Sequence, residues 1–387
     1  MKILMLSTDQ NVFIKNSPTW ERMIEYGKLF NELHIIVYTH KKLGMHDQEL
    51  SKNVFAHPTN TQFKPLYFID AYLIGKKIIR NSQFLVDNAV ISSQDPFETA
   101  LVSYFLKIKF RLSFQIQSHS DFLSPYFWKE SFKNKARVLL GKWLIKKADG
   151  IRVVSERVKR SLVNILDVPA AKIVVLPIIF DLDSVKHYPI KTNLRKKYSN
   201  HDFIILAASR LSTEKNIGLA IRAMAEVMKR NPGSLLLIVG GGPEEKKLKA
   251  LIEKNRLADN VIFEPWTNDI ISYYKTADLF VLTSNYEGGA RSPIEAMANG
   301  LPVIMTDVAP ANEFVINGQN GFVVPVGDWK ALADRINQFI GMNPTEHNAF
   351  SSQGITTADH FRTKAEYLRD YQASLEVTLD SIFKNSK

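Results

Sequence analysis

A chain of 387 residues, 45% hydrophobic and 23% charged, is long enough for two soluble globular domains and too evenly mixed to be disordered or fibrous. No stretch approaches the roughly 18 uninterrupted apolar residues of a spanning helix. The absence of cysteine excludes disulfides, thiolate metal sites and a Cys nucleophile, and fits a cytoplasmic location. The net charge of +11 is concentrated: residues 103–160 hold 14 Lys and Arg against four acids. Such a patch calls for an anionic partner: a membrane surface, nucleic acid or a phosphorylated substrate.

The opening "MKILMLSTDQ" is apolar for too few residues to be a signal peptide and reads as a first strand. Further strands are expected at 33–39, 89–93, 112–117, 150–154 and 173–176. Helical stretches such as 18–30, 97–108 and 131–147 lie between them. The second half repeats the plan, with strands at 203–208, 235–239, 260–264, 279–283, 301–305 and 322–325. Its helices are expected near 216–230, 243–256, 269–276, 293–299 and 328–340. Runs apolar at nearly every position suit parallel strands buried on both faces. The pattern predicts an α/β protein of two doubly wound, Rossmann-like domains facing across a cleft. The first is expected over 1–182 and the second over 183–357. Beyond 340 the pattern breaks, until a helix within 358–387 carries Phe361, Ala365, Leu368, Leu375, Leu379 and Phe383 as an apolar stripe, expected to pack back on the first domain.

Ligands of open parallel sheets bind at the carboxyl ends of strands. After 203–208 comes "SRLSTEKNIGLAIRAM", with Arg210 and Lys215 just before a helix. Cations there oppose the helix dipole, and a bound phosphate would reverse the sign; solvated surface cations balanced by Glu214 are the plainer reading. "GGGPEEKKL" follows 235–239, and Gly240, Gly241 and Gly242 suit either a tight turn or close approach of a ligand to the backbone. In "NYEGGARSPIEAMANGLPVI", Glu287 begins a loop and no local rule demands it. Glu295 fits a capping box with Ser292 at N-cap and Pro293 at N1, with Asn299-Gly300 ending the short helix.

Together these loops resemble the donor half of retaining GT-B glycosyltransferases of family four, the group 1 type. The motif match covers about residues 203–327. The resemblance implies that Arg210 and Lys215 hold a donor diphosphate, that Glu295 binds ribose hydroxyls and that Glu287 lies against the donor sugar. It places backbone amides of Gly288, Gly289 and Ala290, with Gly241 and Gly242, near the sugar and phosphates, and the nucleobase near Pro265 and Trp266. In "QIQSHSDFLSP" it implies His119 beside the reacting centre, although a lone His at a strand end is often structural. It makes the first domain acceptor-binding and the second nucleotide-sugar-binding. Glu287, His119, Lys215 and Arg210 are the implied catalytic residues.

Cations and backbone donors stabilise a departing diphosphate electrostatically. No acidic D-x-D-like pair sits in a donor-side loop, so no metal is expected; Asp181-Leu-Asp183 lies in the linker. In the family an acceptor hydroxyl attacks from the leaving-group face, which retains configuration, and a phosphate oxygen helps remove its proton. The expected donor is a UDP- or GDP-linked sugar, with a glycan or lipid-linked acceptor and no other cofactor. Three features depart from the family. There is no Gly-Gly loop after the first strand, "PIIFD" keeps only Asp181 of the usual Asn-Gly-Val-Asp, and Arg291 puts a charge in the donor loop.

The segment 131–147 reads as a helix with Phe132, Ala136, Leu139, Leu140 and Trp143 on one face, flanked by Lys133, Lys135, Arg137, Lys142, Lys146 and Lys147. That suits either an interfacial helix on anionic lipid or a domain helix with solvated lysines. The expected activity is sugar transfer in cell-envelope polysaccharide or glycolipid synthesis, at the cytoplasmic membrane face. The alternatives are a nucleotide-sugar epimerase or hydrolase of the same fold and a non-catalytic, basic membrane-binding protein. No nucleic-acid module is present.

Overall fold

A strand apolar at successive positions needs a core on each side, and the second half of the chain supplies two. Along β9 (Phe203–Ala208) and β10 (Ser234–Val239), Ile205, Ala207, Leu236 and Ile238 enter one core. Ile204, Leu206, Leu235 and Leu237 enter the other. Each such side chain, fully removed from water, contributes about 1.5–3 kcal/mol before conformational entropy is counted. The computed structural model describes all residues except 83, 85–87, 180–181 and 386–387, so Asp181 lies outside the described residues, as does the side chain of Phe383.

The chain forms two compact units. The first comprises Met1–Leu123, Ser131–Pro177 and Ala365–Lys387, and the second Ser124–Glu130 and Ile178–Lys364. The first unit holds an eight-stranded sheet in the order β3-β4-β2-β1-β5-β6-β7-β8. Its strands are β1 (Lys2–Ser7), β2 (Glu32–Val37), β3 (Gln48–Ser51), β4 (Val54–Pro58), β5 (Ala89–Ser93), β6 (Ser113–Ser118), β7 (Gly150–Val153) and β8 (Ile173–Val175). All neighbours are parallel except the edge pair β3–β4. β3 and β4 were not expected, because the polar, Gly- and Asn-bearing sequence before Pro58 hides a short edge pair.

Its helices are α1 (Pro18–Gly27), α2 (Tyr67–Asn81), α3 (Glu98–Phe110), α5 (Phe132–Ile145), α6 (Glu156–Leu166) and the long α15 (Lys364–Asn385). The helix α4 (Pro125–Glu130) belongs to the second unit. Connections through α2, α3, α5 and α6 all run toward the β8 edge, so right-handed crossovers put these four helices on one face. The connection through α1 runs the other way and puts it on the opposite face, where Tyr26 stacks on Tyr371 of α15 at 4.2 Å.

The second unit is a six-stranded parallel sheet, β11-β10-β9-β12-β13-β14. The added strands are β11 (Val261–Glu264), β12 (Leu279–Leu282), β13 (Val303–Thr306) and β14 (Gly321–Val324). Around it lie α7 (Leu182–Lys186), α8 (Leu194–Lys197), α9 (Ile217–Val227), α10 (Glu245–Lys254), α11 (Ile270–Thr276), α12 (Ser292–Ala298), α13 (Trp329–Ile340) and α14 (Pro344–Asp359).

Two expectations change here. The segment after 340, read as a break, is the helix α14, opened by a capping box in which Asn343 and Glu346 exchange side-chain bonds with each other's backbone amides. The apolar stripe of α15 is displaced. Ala365 is exposed, and the buried face is Tyr367, Tyr371, Ser374, Leu375 and Thr378. The polar members are buried because they find partners: the Gln115 amide donates to the Ser374 carbonyl at 2.8 Å and to Thr378 Oγ1 at 3.1 Å.

Candidate functional site

All the singled-out residues except His119 fall in the second unit, in loops at or near the carboxyl ends of β9, β10, β11 and β12, or, for Glu295, in the helix α12 that follows the last of these loops. The loop after β9 and the loop after β12 are sewn together. The Asn285 amide donates to the Glu214 carbonyl at 2.7 Å, its side chain donates to the Thr213 carbonyl at 3.0 Å, and Thr283 Oγ1 donates to the Lys215 carbonyl at 2.9 Å. Within this seam Lys215 Nζ donates to Glu287 Oε1 at 2.5 Å, and Ser284 Oγ donates to the same oxygen at 2.7 Å. The two charged side chains are only 21% and 11% exposed, so solvent screens the pair less than a surface ion pair. Arg210 differs: its side chain is 66% exposed and meets Glu214 at 3.2 Å.

Asn216 caps α9 in a left-handed conformation (φ 44°), and no side chain bonds to the amides of the first turn. Those amides leave the amino end of an eleven-residue helix open to an anion. Beside the same loop opens a cavity of about 300 Å³, lined by Ser212, Asn216, Arg222, Lys247, Leu251 and Asn285.

The glycine loop after β10 owes two of its glycines to packing. A Cβ on Gly240, where φ is +139°, would lie 2.1 Å from the Ser209 carbonyl oxygen. One on Gly242 would lie 2.4 Å from that of Leu211. A Cβ on Gly241 would meet nothing within 4 Å. The loop therefore clamps the Arg210 segment, and Gly241 is the member of the triplet with space for a ligand.

The capping box expected at Ser292 and Glu295 does not form. Ser292 is already helical, Arg291 stands at N-cap in a helical conformation, and no side chain caps α12. Glu295 Oε1 instead accepts from Arg291 at 2.9 Å, and the Tyr274 hydroxyl lies 3.4 Å from its other oxygen. With Pro293 inside the first turn, the helix starts one residue earlier than the box requires. The expected stop is present, with Gly300 at φ +73°. Between Glu287 and α12, Gly288 and Ala290 are buried and Gly289 half-buried.

Past β11, Pro265 and Trp266 are exposed, the indole by 77%. Just before them lies a network that the sequence reading missed. Glu264, 9% exposed, accepts from Lys197 at 2.7 Å and Tyr273 at 2.5 Å, and also from Tyr198. Burial alone would raise its pKa, but bonds from Lys197, Tyr198 and Tyr273 outweigh it and hold the carboxyl below its ordinary range. Tyr286 was missed too. Its hydroxyl donates to Glu130 at 2.5 Å and its ring meets Phe127 edge-on at 5.4 Å. Phe127 is buried there.

His119 follows β6 in the first unit, half-buried. Burial, then the positive charges of Arg152 and Arg22, push its pKa down to about 3, so the imidazole is neutral at ordinary pH. Arg152 itself was counted in the basic patch, and the structure corrects this: it is 2% exposed. Its guanidinium donates to Gln117 at 2.6 Å and to the Tyr367 hydroxyl at 2.9 Å, and lies over the Tyr371 ring. A lone Arg between apolar residues in "DGIRVV" was the signal for a buried charge. Among the described residues no three His, Asp or Glu side chains converge as metal ligands.

Residues 190–355 match the family described as Glycosyl transferases group 1. Poly(glycerol-phosphate) alpha-glucosyltransferase of Bacillus subtilis is 30% identical over 180 residues, 46% of this chain and 26% of that protein. An uncharacterized glycosyltransferase of Methanocaldococcus jannaschii is 27% identical over 297 residues, 74% of this chain and 71% of that one. The chain thus spans about a quarter of the first relative's length and over two thirds of the second's. The crystal structure of Anabaena HepE in complex with UDP superposes with a TM-score of 0.75, at 21% identity, covering 97% of this chain and all of that one. Two parallel-sheet units with this loop set define the GT-B class. Residues 190–355, most of the second unit, are similar to the group 1 glycosyltransferases, and the chain as a whole has the GT-B fold.

Proposed function

We propose that the protein is a retaining, metal-independent hexosyltransferase that moves a sugar from a UDP- or GDP-linked donor to a hydroxyl of a glycan or lipid-linked acceptor in cell-envelope polysaccharide or glycolipid synthesis. The observation that carries this reading is the Lys215–Glu287 pair, held by Ser284 where two strand-end loops are stitched together. It fixes a cation for the diphosphate beside a carboxylate for the sugar. Arg210, with its exposed side chain, is free to swing onto the phosphates, and the uncapped first turn of α9 adds backbone donors. Glu295 would hold the ribose, Gly241 and Gly288 to Ala290 would approach the diphosphate and sugar, and Pro265 and Trp266 would receive the base. UDP in the HepE structure supports a uridine donor. The poly(glycerol-phosphate) relative supports an acceptor polymer rich in phosphate.

In the reaction the bond from the anomeric carbon to the diphosphate oxygen breaks, and one to the acceptor oxygen forms on the same face. The acceptor proton passes to the departing phosphate oxygen. Lys215, Arg210 and the amides of α9 stabilise the charge that develops there. A neutral His119 would orient the acceptor hydroxyl as a hydrogen-bonding partner, with residues 1–182 as the acceptor side and 183–357 as the donor side. The basic helix α5 would hold the enzyme at the inner face of the cell membrane through anionic lipid.

Thermal shift with UDP, GDP, ADP and CDP, followed by their sugars, tests the reading. UDP or GDP should raise the melting temperature, and the matching sugar should then be transferred to an acceptor. No stabilisation by any of the four would overturn the donor site. A donor epimerised or hydrolysed without any acceptor product would overturn transfer.

A further inference from the structure

We propose that α2, α3 and α5 form one membrane-insertion face, in which apolar side chains of α2 and α3 enter an anionic bilayer beside the charged helix α5. The inference rests on the membrane reading of α5 and extends it from electrostatic attraction by one helix to hydrophobic insertion by three. These helices lie on the same side of the first sheet; α2 packs on α3 and α3 on α5, where Tyr104 meets Trp143 edge-on at 4.9 Å.

Each helix buries one side and presents large apolar residues on the other. Ala71, Ile78, Val102, Leu106, Val138 and Leu144 are buried. Facing outward, Ile69 is 41% exposed, Leu73 54%, Phe105 49%, Ile108 56%, Leu139 60% and Phe132 87%. Single exposed apolar residues are ordinary on a protein surface. A set spread over three adjacent helices marks an interaction surface.

The outward face of α5 is thus the apolar one that the sequence picked out. The sheet is covered by Val138, Gly141, Leu144 and Ile145 instead. No helix among the described residues is long and apolar enough to cross a membrane, so a lipid contact here lies along the surface.

Charge selects the occupant. Lys77, Lys109, Arg111, Lys133, Lys146 and Lys147 are exposed on or just beyond the same helices. A second copy of the chain would bring the same positive excess against itself. An anionic lipid surface neutralises the cations and takes up the apolar side chains together.

The test is sedimentation with vesicles of phosphatidylcholine and phosphatidylglycerol in equal parts, at roughly 0.1 and 0.5 M NaCl, where charge interactions are progressively screened. The wild-type protein should bind at both salt levels, and intrinsic Trp emission should shift to the blue as Trp143 leaves water. The triple variant Ile69→Ser, Leu73→Ser, Phe105→Ser should lose ~10-fold or more in partitioning, including the salt-resistant part, with an unchanged melting temperature. The variant Lys142→Glu, Lys146→Glu, Lys147→Glu should lose only the salt-sensitive part. Unchanged partitioning of the serine variant overturns the insertion face. If, in addition, the charge variant abolishes binding, the simpler α5 reading stands alone. A wild-type dimer in solution that the serine variant converts to monomer would assign the face to a second copy and overturn the lipid. Sugar transfer to a soluble acceptor should be the same in all three proteins, so failure here is separate from failure of the enzymatic reading.

Discussion

Charge is handled in opposite ways in the two units. In the strand-end loops of the second, charged side chains meet local partners: Lys215 with Glu287, Arg210 with Glu214, and Arg291 with Glu295. On the helical face of the first, cations crowd between exposed apolar side chains, and acids are few. A group held by a partner in a half-buried seam is preorganised for one small ligand at one place. On that face Arg137 is fixed on Glu98 and Lys107 on Asp149, but the exposed lysines around them, spread over three helices, suit a surface. Local pairing, more than the amount of charge, separates a site from a patch.

The contrast can be broken or sharpened by substitution. The largest effect is expected at Lys215→Ala: sugar transfer falls by roughly 10²–10³-fold, as for loss of one preorganised donor to a developing charge. Circular dichroism and melting temperature should remain near wild type, and normal turnover would place Lys215 outside the reaction. Glu287→Gln keeps the shape and removes the counter-charge. A smaller loss is expected, ~10-fold or more, read mainly in kcat under the proposed role of Glu287 against the donor sugar.

Glu295→Gln separates a clamp from a cap. With no capping box, stability should change by no more than about 0.5 kcal/mol, the worth of an i,i+4 helix pair whose arginine is half-exposed. The KM for the donor should rise, and a rise in KM without loss of melting temperature is the discriminating result.

The smallest effect concerns acid stability. His119 has a folded pKa of about 3, below the ordinary 6.5. Above pH 6.5 neither the folded nor the unfolded form is protonated there. As pH falls from 6.5 toward 3 the unfolded chain takes up a proton that the folded one does not, so stability is lost. His119→Gln should flatten that part of a melting-temperature profile. An unchanged profile would mean the imidazole is freely hydrated.

The sequence made the architecture legible because parallel strands buried on both faces write their burial as continuous apolar runs, as in "FIILAA" and "SLLLIV". It also made the loop cluster legible, since Arg210, Lys215, Glu287 and Glu295 stand at strand ends. It misled where two local rules compete. "SPIE" reads as a capping box that does not form, whereas "NPTE", inside a segment read as a break, forms one. At the first, the chain enters the helix at Ser292, and Arg291 takes the carboxylate that would have capped it. Arg152 and the tyrosines of α15 were illegible for another reason. Their burial depends on partners 215 and 341 residues apart in the chain, Arg152 with Tyr367 and Tyr26 with Tyr367. The Glu130–Tyr286 bond, 156 residues apart, is of the same kind.

The placement of α15 has a consequence for how the protein is made. The strands of the first unit are synthesised before the second unit, but their sheet receives Tyr371, Ser374 and Thr378 only after residues 178–364 have been made. Until then Gln115, Gln117 and Arg152 lack their partners on that helix, while the second unit already has its own β9–β14 sheet. The domain that starts first is therefore expected to finish last during synthesis, with an incompletely covered sheet waiting on its own distant end.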